Sequence, residues 1–299
     1  MKNSKGNGQR TNHKTQKGVK FRSTDNKNRS FKKAVYLGLV IIISWGIFMG
    51  CSAAKEGEGE LTVLKVGASP LPHSEILEFV KDDLEQEGFA LKIVEFTDYV
   101  TPNLSLDANE IDANFFQHGP YLSSFNEEHG LSLQGIFEVH VEPLGLYSKE
   151  IDTIEDLKDG AAIAIPNDPT NGGRALLLLS EFGLIDLGDE PSLQVAVEDI
   201  QRNPKNLEFV ELEAPQLPRS LEDVDAAVIN TNYALEADLN PSDDALISEN
   251  ENSPYTNVIA TTEELQDSGK IQILIEVLSR ERVAEFIWEQ YDGAVVPVF

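Results

Sequence analysis

From residue 61 onward the chain alternates short β-branched runs with longer segments whose apolar positions recur at helical spacing. Leu61–Gly67 (LTVLKVG) reads as a first strand. After a turn through Ser69-Pro70-Leu71-Pro72-His73-Ser74, Ile76, Leu77, Val80 and Leu84 fall on one helical face, and Gly88 closes that helix. Ala90–Phe96 is a second strand. Strand, helix, strand is a βαβ unit, which predicts a parallel sheet with helices packed on it. A helix to about Glu128 and a strand near Leu131–Val141 follow. Thr153 and Asp156 have the spacing of a capping box, with Gly160 ending that short helix. Leu193–Val197, Leu207–Leu212 and Ala226–Ile229 read as further strands. Two helices close the chain, one carrying Ile271, Leu274, Ile275 and Leu278, the other Val283, Phe286, Ile287 and Trp288.

The densest signal is Ala161 to Leu179, AAIAIPNDPTNGGRALLLL. Ala161–Ile165 reads as a buried strand, Asn167 to Gly173 as a polar turn, and Arg174 as a residue in the first turn of an apolar helix that stops at Gly183. Such a turn presents free backbone N–H groups to an anion, and an arginine adds a planar fork suited to a carboxylate. Losing Arg174 is therefore expected to weaken binding without unfolding the protein; the plainer alternative for it is a surface ion pair. α/β sheets bind ligands just beyond the carboxyl ends of their strands, where Ser69–His73, Thr97–Tyr99 and Asn230–Tyr233 lie. Asn114 to Tyr121 mixes Phe115, Phe116 and Tyr121 with Asn, Gln, His, Gly and Pro. That mixture fits a pocket wall or an aromatic packing corner with a satisfied histidine.

Charge is distributed unevenly. Residues 1–33 hold eleven Lys or Arg against Asp25 alone, which leaves 13 basic against 50 acidic residues at positions 51–299. A body so acidic disfavours nucleic acid or anionic lipid as a partner, and suits a salt- or alkali-adapted source. Cys51, the single cysteine, excludes an internal disulfide and any multi-cysteine metal site. It follows Lys32, Lys33 and the uncharged run Ala34–Gly50, the order of a secretory signal. Phe48-Met49-Gly50-Cys51 resembles a bacterial lipobox, in which the cysteine is the lipidated first residue of the mature chain. An uncleaved membrane helix is the alternative, and either arrangement places the body outside the cytoplasm. Residues 52–60 read as a flexible tether.

Catalytic signatures are lacking. The histidines after Cys51, which are His73, His118, His129 and His140, show no metal-ligand spacing, NDPTNGGR lacks the Lys-Ser/Thr of a phosphate-binding loop, and there is no GxSxG elbow. No metal, cofactor or enzymatic activity is expected, and pairs such as Asp82-Asp83 and Asp243-Asp244 read as solvated surface. An exported α/β enzyme and a surface adhesion protein are the competing classes. Turnover of a bound substrate would mark the first, and a large exposed apolar patch the second.

The blocks LDANEIDANFFQHGPYL, AIPNDPTNGGRALLLL, ELEAPQLPR, AAVINTNYA and NSPYTNVI resemble the NLPA lipoprotein family, the methionine-binding lipoproteins of bacterial methionine ABC importers. The resemblance spans about Lys65 to Pro297. It implies a two-lobed α/β periplasmic-binding-protein fold of type II-like form, with a ligand cleft between lobes. It also implies methionine, L- or D-, as ligand, with delivery to the permease and ATPase of the importer from a lipid-anchored position on the extracytoplasmic face. Another small amino acid, a methionine dipeptide or a carboxylate is the alternative ligand. By the same resemblance Tyr99, Phe116, His118 and Tyr121 surround the ligand side chain, Arg174 holds its carboxylate, and Asn171, Asn230 and Asn257 hold its backbone. Asn232 stands where a threonine is usual. The expected organisation is a leader and signal at 1–50, anchor and tether at 51–60, one lobe at 61–143 with 260–299, and a second at 144–259.

Overall fold

The computed structural model describes residues 61–250 and 253–299, so the leader, Cys51 and the tether lie outside the described residues. The strands are β1 (Thr62–Ala68), β2 (Phe89–Glu95), β3 (Ala113–His118), β4 (Gln134–Val141), β5 (Gly145–Tyr147), β6 (Ala162–Pro166), β7 (Glu208–Leu212), β8 (Ala226–Ile229), β9 (Ile247–Ser248), β10 (Thr256–Thr261) and β11 (Val296–Pro297). They form two sheets, ordered β11-β4-β10-β3-β1-β2 and β7-β6-β8-β5-β9. Each sheet anchors one α/β lobe.

The βαβ expectation holds at the start of the chain, where β1 pairs parallel with β2 and with β3. Ile76, Leu77, Val80 and Leu84 are all fully buried, and they pack with β1 and the C-terminal helices Gly269–Leu278 and Glu281–Tyr291 into one core. That helical segment is in two pieces, Glu75–Phe79 and Lys81–Gln86, broken where Val80 leaves helical geometry. The sheet is mixed rather than purely parallel, because β10 returns antiparallel between β3 and β4. The second lobe repeats this plan: β6 is parallel to β7 and β8, while β5 runs antiparallel to β8 and β9. Its core is the apolar face of helix Pro169–Glu181 against the aliphatic side chains of β5, β6 and β8.

Two connections cross between the sheets, one after Val141 and one before Thr256. The second re-enters the first sheet ahead of the expected boundary at 260, because Thr256–Thr261 is itself the strand that joins β3 to β4.

Leu193–Val197 is not a strand. Val195 is buried under helix Pro169–Glu181, and the backbone there makes a close approach to Gly173 rather than a ladder. A Cβ at 173 would lie 2.5 Å from the Leu193 carbonyl oxygen, so only glycine lets the two segments meet.

Candidate ligand-binding cleft

The helix at the centre of the second lobe begins earlier than its turn-rich sequence suggests. Asp168 is the N-cap, Pro169 occupies the first turn, and Asn171, Gly172 and Gly173 are already helical and buried. Asp followed by Pro is a start signal, and it outweighs the turn propensity of the residues after it. Two corrections follow. Asp168 Oδ1 accepts the Asn171 N–H at 2.9 Å, so the helix start is capped by the chain's own carboxylate rather than left open to an anion. Arg174 lies beyond the first turn, on the face that looks toward the other lobe.

Asn171 is held there by its neighbours. Its Nδ2 donates to both Asp168 oxygens, at 3.1 and 3.0 Å, which turns Oδ1 outward. That oxygen accepts from Asn230 Nδ2 at 2.8 Å and lies 3.1 Å from His118 Nε2 in the first lobe. His118 Nδ1 accepts the Tyr121 N–H at 3.1 Å as the cap of helix Gly119–His129, so the proton sits on Nε2 and points at Asn171. The central stretch of the chain and the aromatic segment therefore meet across one cleft. Tyr99 OH also donates across it to Asn232 Oδ1 at 2.5 Å, and Tyr233 OH donates to the Thr97 carbonyl at 3.3 Å.

Between the lobes lies a small cavity. All eight residues expected to hold a ligand line it: Tyr99, Phe116, His118, Tyr121, Asn171, Arg174, Asn230 and Asn257. Gln117, Glu142, Thr231 and Asn232 complete the wall. The aromatic segment is both pocket wall and packing corner. Phe115 is fully buried in the core and meets His73 edge-on at 4.5 Å, while Phe116 lines the cavity beside Tyr99 and Tyr121 at ring distances of 5.9 and 6.2 Å. One end of the cavity is thus an aromatic box. Behind it Asn103, Asn114 and Gln117 bond to one another in a closed amide cluster that fixes β3.

The other end is polar, and parts of it are unsatisfied. Asn230 Oδ1 and Asn232 Nδ2 are buried with no hydrogen-bond partner among the described residues. A buried amide group left unpaired costs about 1–3 kcal/mol, and Asn230 Oδ1 is an acceptor at the cavity, while the Asn232 side chain lies against Tyr233. Arg174 is only 3% exposed and is not on the surface. Its Nε donates to Glu249 Oε1 at 2.8 Å, while Nη2 donates to Glu249 Oε2 at 2.5 Å and to the Glu142 carbonyl at 2.8 Å. The Tyr255 ring lies 4.3 Å beneath the guanidinium. Nη1 is the guanidinium nitrogen that makes none of these bonds. Burial works against the Arg174 charge, and Glu249, Tyr255 and Glu142 together outweigh it and hold the group above its ordinary pKa.

Glu142 and Glu249 were not singled out by sequence, being two acids among fifty, and both lie on the segments that cross between the sheets. Among the described residues, His73, His140 and Glu142 are the one group whose types and spacing could hold a metal ion, with ligand atoms within 4.8 Å of one another. Both imidazole Nε2 atoms face Glu142 Oε1, His140 at 2.8 Å and His73 at 3.3 Å, and His140 Nδ1 is buried with no hydrogen-bond partner among the described residues. Burial pushes the histidines down, His73 to about 4 and His140 to about 3, and His118 likewise falls to about 3 with Arg174 adding to the effect. All three are neutral at pH 7. Burial raises Glu142, opposed by His73, Arg174 and the Asn232 N–H.

Two α/β lobes joined by two crossings and facing each other over a cavity with an aromatic end and a polar end define a periplasmic-type substrate-binding protein. Comparison with known proteins agrees. The sequence profile of the NlpA lipoprotein family matches residues 64–299, and the chain belongs to that family. It is 38% identical over 272 residues to the methionine-binding lipoprotein MetQ of Bacillus subtilis, which covers 89% of this chain and 99% of that protein. A solved nutrient-binding protein from Burkholderia cenocepacia, bound to methionine, is 44% identical with a TM-score of 0.76, covering 79% of this chain and 100% of its own. An ABC transporter periplasmic substrate-binding protein from Coxiella burnetii is 42% identical with a TM-score of 0.75, over 79% of this chain and 100% of its own.

Proposed function

We propose that this chain is the lipid-anchored receptor of an ABC importer on the extracytoplasmic face of the membrane, and that it captures methionine between its lobes for delivery to the permease. The observation that carries the ligand is the composition of one cavity. Tyr99, Phe116 and Tyr121 supply an aromatic box at one end, with Asn232 bonded to the Tyr99 hydroxyl, and Arg174 and Asn230 supply charge and an unpaired acceptor at the other. A thioether is soft and polarisable and sits well against aromatic rings, while a zwitterionic head needs both donors and acceptors.

In this reading Arg174 meets the ligand carboxylate, and Asn171, Asn230 and Asn257 order the amino-acid head. His118 joins Asn171 to the box, and closure of the lobes shields the ligand from water. The ligand leaves chemically unchanged, so no turnover is expected. Cys51 carries the lipid; Cys51→Ala should release the protein from the membrane, and continued retention would point to an uncleaved helix instead. The ligand assignment is tested by a thermal-shift panel of the amino acids on protein unfolded and refolded to strip carried-over ligand. Methionine at a hundred times its dissociation constant should stabilise by about 2.7 kcal/mol. An equal shift with leucine or glutamine, or none with methionine, would reject it.

A further inference from the structure

Two of the hydrogen bonds that cross between the lobes come from one helix. Thr231–Glu236 follows β8 in the second lobe. Its second residue, Asn232, accepts the Tyr99 hydroxyl on Oδ1 at 2.5 Å. Its third, Tyr233, donates its own hydroxyl to the Thr97 carbonyl at 3.3 Å. Thr97 and Tyr99 belong to the loop after β2, in the first lobe. Adjacent side chains of one lobe therefore grip one short stretch of the other. The Tyr121 hydroxyl donates to the Tyr99 carbonyl at 3.0 Å and braces that stretch from the first-lobe side. At the start of the helix, the Thr231 hydroxyl donates to the Pro143 carbonyl at 2.5 Å and the Asn232 N–H to Glu142 at 3.1 Å. These bonds tie the gripping helix to the first crossing segment.

Apolar packing follows the same seam. Tyr99 meets Tyr233 with ring centres 5.1 Å apart, and it packs on the second-lobe core that holds Tyr233, Ile229 and Leu217. In return Leu235, further along the same helix, packs against the core of the first lobe. Each lobe thus seats a side chain against the other's core. Parting the lobes must expose both side chains and break both bonds before an enclosed ligand can leave. Position separates this seam from the ligand contacts. The bond from His118 to Asn171 also crosses the cleft, but both of those residues line the cavity, whereas Tyr233 is buried outside its wall.

We propose that Asn232 and Tyr233 form a clasp on Thr97–Tyr99 that sets how fast the ligand is released, acting as positioning residues for lobe closure. The proposal rests on the reading above, in which a ligand is enclosed between the lobes. A ligand meeting the open protein encounters neither bond, so the clasp leaves capture alone and slows release. Its effect falls on the residence time of the ligand, and through that on how long the loaded form persists for delivery.

The test loads the full-length protein with radiolabelled L-methionine, chases with excess unlabelled methionine and follows the loss of label; uptake rates are read separately across concentrations. Tyr233→Phe keeps the ring in the core and deletes only the hydroxyl, and should speed release roughly two- to tenfold. Its uptake rate constant should stay within about twofold of the wild type. Tyr99→Phe keeps the ring in the aromatic box and should act in the same way. Asn232→Ala should add little to Tyr99→Phe, because both delete one bond, whereas Tyr233→Phe should speed release further in either background. Release unchanged in both Phe variants, or affinity lost through slower uptake, would overturn the proposal while leaving methionine as the ligand. The two hydroxyls stand on different lobes, so a folding defect in one variant leaves the other to decide. If the wild type took up no labelled methionine, the ligand reading would fail and the proposal with it.

Discussion

Removing Arg174 should cost the protein stability as well as ligand. Its guanidinium and the Glu249 carboxylate are 3% and 12% exposed and share two hydrogen bonds. Glu249 also accepts the Leu144 N–H at 3.1 Å and the Ser253 hydroxyl at 3.3 Å. Arg174 additionally ties the Glu142 carbonyl to the helix and stacks over Tyr255. The pair therefore fastens both crossing segments to helix Pro169–Glu181. Breaking a buried pair by deleting one partner costs about 3–5 kcal/mol, because the other charge stays behind unmatched. Arg174→Met should lose about that much in urea unfolding at pH 7, and Glu249→Gln a comparable amount. The double variant should lose clearly less than the two together, with a coupling of about 1–3 kcal/mol. Methionine affinity should fall in Arg174→Met by roughly ten- to a hundredfold. A loss below about 1 kcal/mol with additive effects is the behaviour of an exposed pair and would refute this reasoning.

Three further outcomes are expected. Gly173→Ala places a Cβ against backbone at Leu193, Gln194 and Val195, none of which can swing away, so it should cost about 1–3 kcal/mol in chemical denaturation; an unchanged midpoint would show that the loop yields. His73, His118 and His140 are buried neutral with pKa values near 4, 3 and 3, whereas unfolded histidine titrates near 6.5. Below 6.5 the unfolded chain binds more protons, so stability is full above that pH and falls as pH drops toward 4 and then 3, by about 1.4 kcal/mol per unit for each histidine. Glu142, raised by burial, works in the opposite sense above its ordinary carboxylate range and offsets part of this slope. A urea midpoint that stays level from pH 7 to pH 5 would contradict the buried-neutral assignment. Asn230→Ala removes both the unpaired acceptor and the bond to Asn171, and should lower methionine affinity about tenfold or more in a calorimetric titration while the lobes remain folded; normal binding would displace the polar end of the cavity.

Periodicity made most of the framework legible. Ile76, Leu77, Val80 and Leu84, the strand at 162–166 and the buried run Ala226–Ile229 all stand where the apolar pattern puts them, because core burial enforces that pattern. Local chemistry misled where two signals competed. The residues NDPTNGG look like a turn, yet Asp168 and Pro169 start a helix whose glycines are needed for close approach to the backbone at Pro166 and Leu193. Leu193–Val197 has strand-like composition but is used for packing. The cavity was partly visible through its aromatic and asparagine residues. Glu142 and Glu249 were not, since what distinguishes them is burial between lobes, which composition does not report. Arg174, expected as a ligand contact, lines the cavity, but its ion pair depends on a residue 75 positions away.

The central claim is that a methionine-sized zwitterion is enclosed between the lobes. Calorimetric titration of the ligand-stripped protein with L-methionine, D-methionine and glycyl-methionine tests it most directly. The account predicts one-to-one binding of methionine, with the signal lost when Phe116→Ala opens the aromatic box. No heat with any of the three, or equal affinity in Phe116→Ala, would contradict it.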